Sequence, residues 1–345
     1  MRPQLGRELQ MAQLGFRIVT SNAAARALMR VLRLPSVRKL LVVLGYVAAG
    51  AGFLIAALSF ADGIGRDGGW AYDFNAYYMA GQRYLAGDAL YTRVEINDPG
   101  AYRYLPTFAA LIAPLTVIPE PVLTWLYRAA CLLCVRYLVG SWKAVGWALL
   151  FPPLLIELWS LNLTLPLAAG ARWALRGRGA VAIPAQSLAK YGSALLIPYL
   201  WFATPSARRA IVLGSFAAAA VVAVHAMLDP RSWRAFVSAM VQQAGTTNDA
   251  PYVGDQLLFI VPSTLGDFLL RVVIAGVLVM VATRRRWAWL AFAALVIAVP
   301  TLWLARLAPL VGVPRLCLED QTHLRTLSAA AEAAKEQATQ GHEFR

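Results

Sequence analysis

Apolar runs recur along almost the whole chain and are separated by short polar breaks. The runs cover residues 40–60, 105–118, 121–140, 144–158, 163–175, 180–202, 210–228, 257–282 and 287–313. A helix needs about 20 residues to cross a hydrocarbon core about 30 Å thick, so several runs are too short for a full crossing. The pattern predicts an all-α polytopic membrane protein with about 8–10 membrane helices, some of them short or broken.

Composition and charge agree with a membrane protein. Of 345 residues, 59% are hydrophobic and only 14% are charged, whereas soluble domains carry about 25% charged residues. The net charge of +14 comes mainly from arginine clusters between the apolar runs, as the positive-inside rule requires. We therefore expect membrane lipids as partners and no nucleic acid. Residues 1–39 are predicted to be a cytoplasmic basic arm, 40–313 a transmembrane domain, and 314–345 a polar tail.

The charge pattern also predicts the topology. The loop from Asp62 to Arg103 holds six acids and four arginines, so external loops are predicted at 61–104 and 229–255, in a bacterial cytoplasmic (inner) membrane. The run 105–118 is interpreted as re-entrant or interfacial. The run 180–202 is interpreted as two half-length helices that meet near Lys190-Tyr191-Gly192. Broken helices at membrane depth are tolerated only where they line a protein cavity.

The segment from Asp73 to Tyr91 is unusually rich in tyrosine. On a helix, spacings of three and four place Asp73, Tyr77, Ala80, Gly81 and Tyr84 on one face, and Gly87-Asp88 ends the helix. One interpretation is an amphipathic interfacial helix without chemistry, since aromatic residues with polar tips suit the membrane surface. The other is that Asp73 faces a cavity as a general base.

Two cations are candidates for binding phosphate. Arg103, beside Tyr104, matches phosphate oxygens with its planar guanidinium group, or it snorkels within an aromatic belt. Lys190 is the only lysine deep in an apolar run and needs a counter-charge or a watery cavity; a lipid phosphate or Glu157 would serve. Glu157 and Asn162 flank a polar break and are candidates to line the same cavity.

Several short motifs resemble glycosyltransferase family 87, the polyprenol-phosphate-mannose-dependent mannosyltransferases and their relatives. They are Asp73-x-x-x-Tyr-Tyr-x-Ala-Gly, Leu85-x-Gly-Asp-x-x-Tyr91, Tyr102-x-Tyr-x-Pro106, Ala113-Pro-Leu115, Leu188-Ala-Lys190 with Pro198, and Asp229-Pro-Arg-Ser-Trp-Arg-Ala-Phe236. The resemblance covers residues 40–310. Where the family often has Gly-Gln-x-Asn, the chain reads Trp159-Ser-Leu-Asn162, so only the asparagine is kept.

The resemblance implies a GT-C-type glycosyltransferase fold with interfacial helices in the first external loop. It implies an inverting transfer of mannose or another sugar from a polyprenyl-phosphate donor to a glycan or glycolipid acceptor outside the cytoplasm. The residues themselves include no metal-ligand cluster, so we expect no metal and no cofactor besides the donor. Asp73 is the implied catalytic base, and the implied substrate-binding residues are Tyr77, Tyr78, Arg103, Tyr104, Asn162 and Lys190. Two other classes stay open: a transporter or flippase for lipids or lipid-linked glycans, and a non-catalytic membrane subunit.

Overall fold

Helices make up most of the part of the chain that the structure describes. The structure, a computed structural model, describes residues 71–91, 101–244, 259–261, 265–298, 302–322 and 326. The α-helices are α1 Tyr72–Ala86, α2 Pro106–Ile112, α3 Glu120–Val139, α4 Trp142–Ala148, α5 Pro152–Ser160, α6 Thr164–Leu175, α7 Ile183–Ala189, α8 Leu196–Ala203, α9 Arg208–Leu228, α10 Pro230–Ala244, α11 Leu265–Arg285, α12 Ala288–Ile297 and α13 313–322.

Short 3-10 segments continue or connect these helices. They cover Ala113–Val117, Ala180–Ala182, Tyr191–Leu195, Pro205–Ala207 and Leu304–Gly312. A short antiparallel strand pair, β1 Phe259–Val261 with β2 Leu302–Trp303, was not expected from the sequence. The chain divides into two compact units, one formed by Gly52–Arg315 and the other by Met1–Ala51 with Leu316–Arg345.

Two of the described helical segments are long and apolar enough to cross a membrane. They are Glu120–Val139 and Pro205–Leu228, and only 17% of the apolar window of each is buried within the protein. Their exposed apolar side chains suit contact with lipid. The helices α5 and α6 form a bent pair, and the number of spans rises to three if this pair is counted as a single span. The predicted total of about 8–10 membrane helices also counted short helices and stretches outside the described residues, and it stays a prediction.

The segment 180–203 breaks at Lys190, as the sequence predicted. The helix α7 ends there because Lys190 has an extended backbone (φ −146°, ψ 112°). A 3-10 turn and then α8 follow. Pro184 and Pro198 lie in the first turns of α7 and α8, where a missing N–H removes no helical hydrogen bond. Lys190 therefore lies at the junction between two short helical segments.

The helix α1 is packed into the protein along the face that the sequence predicted. Tyr77, Ala80 and Gly81 are buried. A Cβ atom on Gly81 would lie 2.7 Å from Thr116 Cγ2, so the absence of a side chain lets α1 approach the 113–117 segment closely. The helix ends at Gly87, whose φ of 72° is left-handed and favours glycine. This packing fixes the position of Asp73 in the first turn.

Several predicted regions lie outside the described residues. They include the basic arm 1–39, the first span 40–60 and most of the polar tail. Of the two predicted external loops, the stretches 61–70, 92–100 and 245–255 also lie outside the described residues.

Candidate functional site

A sharp bend between α5 and α6 forms the centre of the candidate site. The two helix axes differ in direction by 113°. The turn depends on Leu161, which has a left-handed backbone (φ 55°, ψ 49°). That conformation costs a non-glycine residue about 1–2 kcal/mol. Leu161 is fully buried, so packing holds it there, and such strain is concentrated at functional sites in proteins.

Two side chains satisfy the backbone donors that the bend leaves open at the start of α6. The Leu163 N–H donates to Asn162 Oδ1 at 2.7 Å, and the Thr164 N–H donates to Glu157 Oε1 at 3.2 Å. The first N–H groups of a helix have no partner inside the helix, and a carboxylate there is also favoured by the helix dipole. Glu157 and Asn162 are buried, so they form the floor of the bend.

Two cations reach the same bend from distant parts of the chain. The Lys190 ammonium donates to Asn162 Oδ1 and, at 3.1 Å, to Thr164 Oγ1. The Arg306 Nη1 donates to the same Thr164 hydroxyl at 2.9 Å. A hydroxyl oxygen has two lone pairs and can accept both bonds. Thr164 therefore holds a lysine and an arginine side by side.

Asp73 joins this arrangement because the start of α1 is tied to the end of α5. The Ala71 N–H donates to the Trp159 carbonyl at 3.0 Å. The Asp73 carboxyl then accepts hydrogen bonds from the side chains of Asn162 and Ser160. The Asn162 oxygen is already occupied, so its NH₂ group is the part that can face the carboxylate.

The pKa of Asp73 is raised above its ordinary value. Burial is the main cause, because it disfavours the charged form. The charges of Arg306 and Lys190 and the hydrogen bonds from Asn162 and Ser160 act in the opposite direction without cancelling it. A carboxylate with a raised pKa is a better proton acceptor than an ordinary aspartate.

A pair of tyrosines lies beside Asp73. The hydroxyls of Tyr77 and Tyr104 are hydrogen-bonded at 2.9 Å, and the ring centroids are 5.1 Å apart, edge to face. Burial, followed by the charge of Asp73, raises the pKa of Tyr104 to about 12. Tyr104 therefore stays protonated at neutral pH, and its hydroxyl is a neutral hydrogen-bonding group.

These groups divide into a buried floor and an accessible rim. Glu157, Ser160 and Asn162 are almost completely buried. The rim residues keep partial solvent exposure; they are Asp73, Tyr104, Thr164, Lys190 and Arg306. We call the set Asp73, Glu157, Asn162, Thr164, Lys190 and Arg306 the charged corner. It combines two carboxylates with two cations, and three of these four charged groups lie on the rim.

The sequence-derived site residues are only partly brought together. Asp73, Tyr77, Tyr104, Asn162 and Lys190 lie in or beside the charged corner.

Two further predicted site residues, Tyr78 and Arg103, are not among the contacts described for the charged corner. Tyr78 points elsewhere, and its hydroxyl donates to the carbonyls of Thr116 at 3.2 Å and Ile118 at 3.1 Å, which fastens α1 to the segment after α2. Arg103 is half-buried, and among the contacts described for the corner the guanidinium group is that of Arg306. A substrate-binding role for Arg103 stays a prediction.

Sequence reasoning missed Arg306 and Thr164. Arg306 is the only charged residue in the apolar run 287–313. A single charge in an apolar run is the same signal that selected Lys190, so the signal was present. Thr164 carries no comparable signal, because threonine is common at the start of helices.

A second buried polar cluster lies at the other end of α6. Arg172 is fully buried, donates to the Tyr137 carbonyl at 2.6 Å and lies 4.6 Å from the Tyr137 ring centroid. Arg315 donates to the same carbonyl at 3.0 Å, and Arg136 donates to the Gly140 carbonyl. We call Arg136, Arg172 and Arg315 the arginine cluster. It binds two carbonyls, one in the last turn of α3 and one just after the helix, where cations are favoured.

Within the described ranges, no group of three or more histidine, cysteine, aspartate or glutamate side chains is placed to hold a metal ion. The sequence-based expectation that no metal is required stays a prediction.

No family model, curated protein or solved structure matches the chain. Membership of glycosyltransferase family 87 therefore stays a prediction, and the functional argument depends on the charged corner.

Proposed function

We propose that the protein is a membrane glycosyltransferase that moves a sugar from a polyprenyl-phosphate donor to a glycan or glycolipid acceptor outside the cytoplasm. The observation that carries this proposal is the convergence of Asp73 with Lys190 and Arg306 on one partly exposed corner. These residues come from three segments far apart in the sequence. A proton acceptor beside two cations is the arrangement that displacement of a phosphate leaving group requires.

The proposed reaction is a single displacement at the anomeric carbon. The acceptor hydroxyl oxygen forms a bond to that carbon while the bond from the carbon to the phosphate oxygen breaks. The hydroxyl proton passes to the Asp73 carboxylate, and the electron pair of the broken bond leaves with the polyprenyl phosphate. The raised pKa of Asp73, caused mainly by burial, supports its role as the base.

The two cations are placed to stabilise the leaving phosphate. Its negative charge grows as the bond breaks, and preorganised cations at that position lower the barrier. Lys190 and Arg306 are held together on the Thr164 hydroxyl, so little reorganisation is needed. Tyr104, the partly exposed member of the Tyr77–Tyr104 pair beside Asp73, would contact the transferred sugar.

A transporter for a lipid-linked glycan would also use bent helices such as α5–α6 and the broken segment at Lys190. The two functions differ in their product, because only a transferase forms a new glycosidic bond.

The test is transfer by the full chain in lipid vesicles supplied with a set of polyprenyl-phosphate sugars and glycan acceptors. We expect Asp73→Asn to lower the transfer rate by about 10²–10⁴-fold, the usual contribution of a general base. Asp88→Asn is the matched control, since Asp88 is exposed just after the same helix, and should transfer at the wild-type rate. Full activity of Asp73→Asn would show that Asp73 is not the base. Translocation of a lipid-linked glycan without transfer from any donor would show that the protein is a transporter.

A further inference from the structure

A continuous chain of aromatic contacts leads away from the charged corner. Neighbouring ring centroids lie between 5.1 and 6.3 Å apart along its length. In order, the rings are those of Tyr77, Tyr104, Tyr102, Tyr91, Phe236, Trp233, His225 and Tyr84. The chain begins and ends on α1, at positions about 10 Å apart along the helix axis.

The far end of this chain is an accessible patch. We call Tyr84, Tyr91, His225, Trp233 and Phe236 the outer aromatic patch. Each of these side chains is half-buried and keeps some exposed surface, whereas Tyr102, which links the patch to the corner, is buried. The patch combines α1 and the segment after it with the end of α9 and the start of α10.

Hydrogen bonds hold the patch rings in place. The Trp233 indole can only donate, so its Nε1–H donates to His225 Nδ1 at 3.0 Å. A neutral His225 then carries its proton on Nε2 and donates to the Tyr84 hydroxyl at 3.1 Å. The Tyr91 hydroxyl donates to the Tyr104 carbonyl at 2.6 Å. The ring faces are therefore fixed in position before any ligand binds.

Polar groups lie at the rim of the patch. Asp229 is half-buried between α9 and α10, and its Oδ1 accepts the Ser232 N–H at 3.1 Å. Arg231 is exposed on the first turn of α10. Fixed aromatic faces with a few polar groups at the edge are typical of a small-ligand site. A saccharide has this chemistry, because its C–H faces pack on aromatic rings while its hydroxyls bond to carboxylate and guanidinium groups.

We propose that the outer aromatic patch binds a saccharide, and, on the basis of the proposed function, that this saccharide is the distal part of the acceptor. Tyr84 lies 11 residues after Asp73 on α1, a distance of about 16 Å along the helix axis. A single sugar cannot reach both positions. The acceptor class is therefore an oligosaccharide whose reacting end lies at Asp73 and whose other end stacks on the patch.

The inward hydrogen bonds argue against a simple membrane-interface role. Interfacial tryptophan and tyrosine residues normally direct their polar tips to water and lipid head groups. Here the polar atoms of Trp233 and Tyr91 bond to His225 and to the Tyr104 carbonyl.

The experiment measures binding of neutral hexose oligosaccharides, one to four residues long, to the detergent-solubilised full chain. Affinity should rise with length, and Trp233→Leu should weaken binding of the longest probe by about tenfold, because a stacking ring is lost. Trp233→Phe keeps a ring and should restore most of the affinity. Trp125→Leu, which removes a 62% exposed tryptophan on α3, should bind like the wild type.

The outcomes separate this proposal from the proposed function. If saccharide binding needs Trp233 but the protein transfers no sugar, the outer aromatic patch is supported as a saccharide site. The same result would overturn the proposed transferase function. If Trp233→Leu transfers sugar normally and its acceptor KM is unchanged, the proposal that the patch binds the acceptor is overturned. If the wild type binds no saccharide and Trp233 instead contacts the lipid of vesicles, the patch is a membrane contact. That result would also overturn the proposal.

Discussion

A cluster of polar side chains lies at each end of α6, and the two clusters differ in the signs of their charges and in their exposure. At its start, the charged corner brings carboxylates and cations together, and three of the charged groups remain partly exposed. Near its end, about 12 Å away along the axis, the arginine cluster binds the Tyr137 and Gly140 carbonyls at the end of α3. Partly exposed charges of both signs suit the proposed reaction, whereas cations bonded to helix carbonyls suit a role in stability. We therefore expect substitutions in the corner to alter activity and those in the cluster to alter stability.

The largest expected effect is on the transfer rate. Lys190→Met should lower it by about 10²–10³-fold, because a preorganised cation no longer meets the leaving phosphate. Lys190→Arg keeps the charge and should recover part of the rate. The measurement is transfer from the polyprenyl-phosphate donor per folded molecule. Lys143→Met, at an exposed position in the first turn of α4, is the control and should be unaffected; equal loss in both variants would contradict the assignment.

A smaller effect, on stability alone, is expected in the arginine cluster. Gly140 has a left-handed φ of 97°, and a Cβ there would lie 2.6 Å from Arg315 Nη1. Gly140→Ala should lower the free energy of unfolding by about 1–2 kcal/mol. Gly146→Ala is the matched control, since nothing lies within 4 Å of its Cβ, and it should raise stability by up to about 1 kcal/mol.

Thermal unfolding in detergent measures both glycine variants, and transfer per folded molecule should stay at the wild-type level. A loss of transfer in folded Gly140→Ala would mean that the two ends of α6 are not separate in function.

The smallest effect is a displacement of the pH profile. Asp73 must be ionised to act as a base, so transfer should fall as the pH is lowered through its raised pKa, which results mainly from burial. Ser160→Ala removes a hydrogen bond that lowers the pKa of Asp73, so the pKa of Asp73 should rise further in this variant. The acidic limb of kcat/KM should move to higher pH; a limb that stays in place would show that another group titrates.

Much of the helical framework could be predicted from the sequence. Spacings of three and four between Asp73 and Tyr84 indicated α1 and its buried face, and the arginines on both sides of the run 180–202 indicated the break near Lys190. The local backbone responds to side chains a few residues away, so periodicity, proline and glycine carry this information. Lys190 was selected because a charge in an apolar run needs a partner. Asp73 and Asn162 were selected by their local pattern and by the family resemblance.

The partners themselves were decided by the tertiary structure. The sequence indicated that Lys190 needs polar neighbours, and the left-handed turn at Leu161 determines that Asn162 and Thr164 supply them. The sequence placed Arg103 and Tyr78 in the candidate site. The described contacts instead bring Arg306 to the charged corner, and the Tyr78 hydroxyl donates to backbone carbonyls. Burial makes pairing of a charge necessary, but which distant residue meets it depends on how the helices bend and pack.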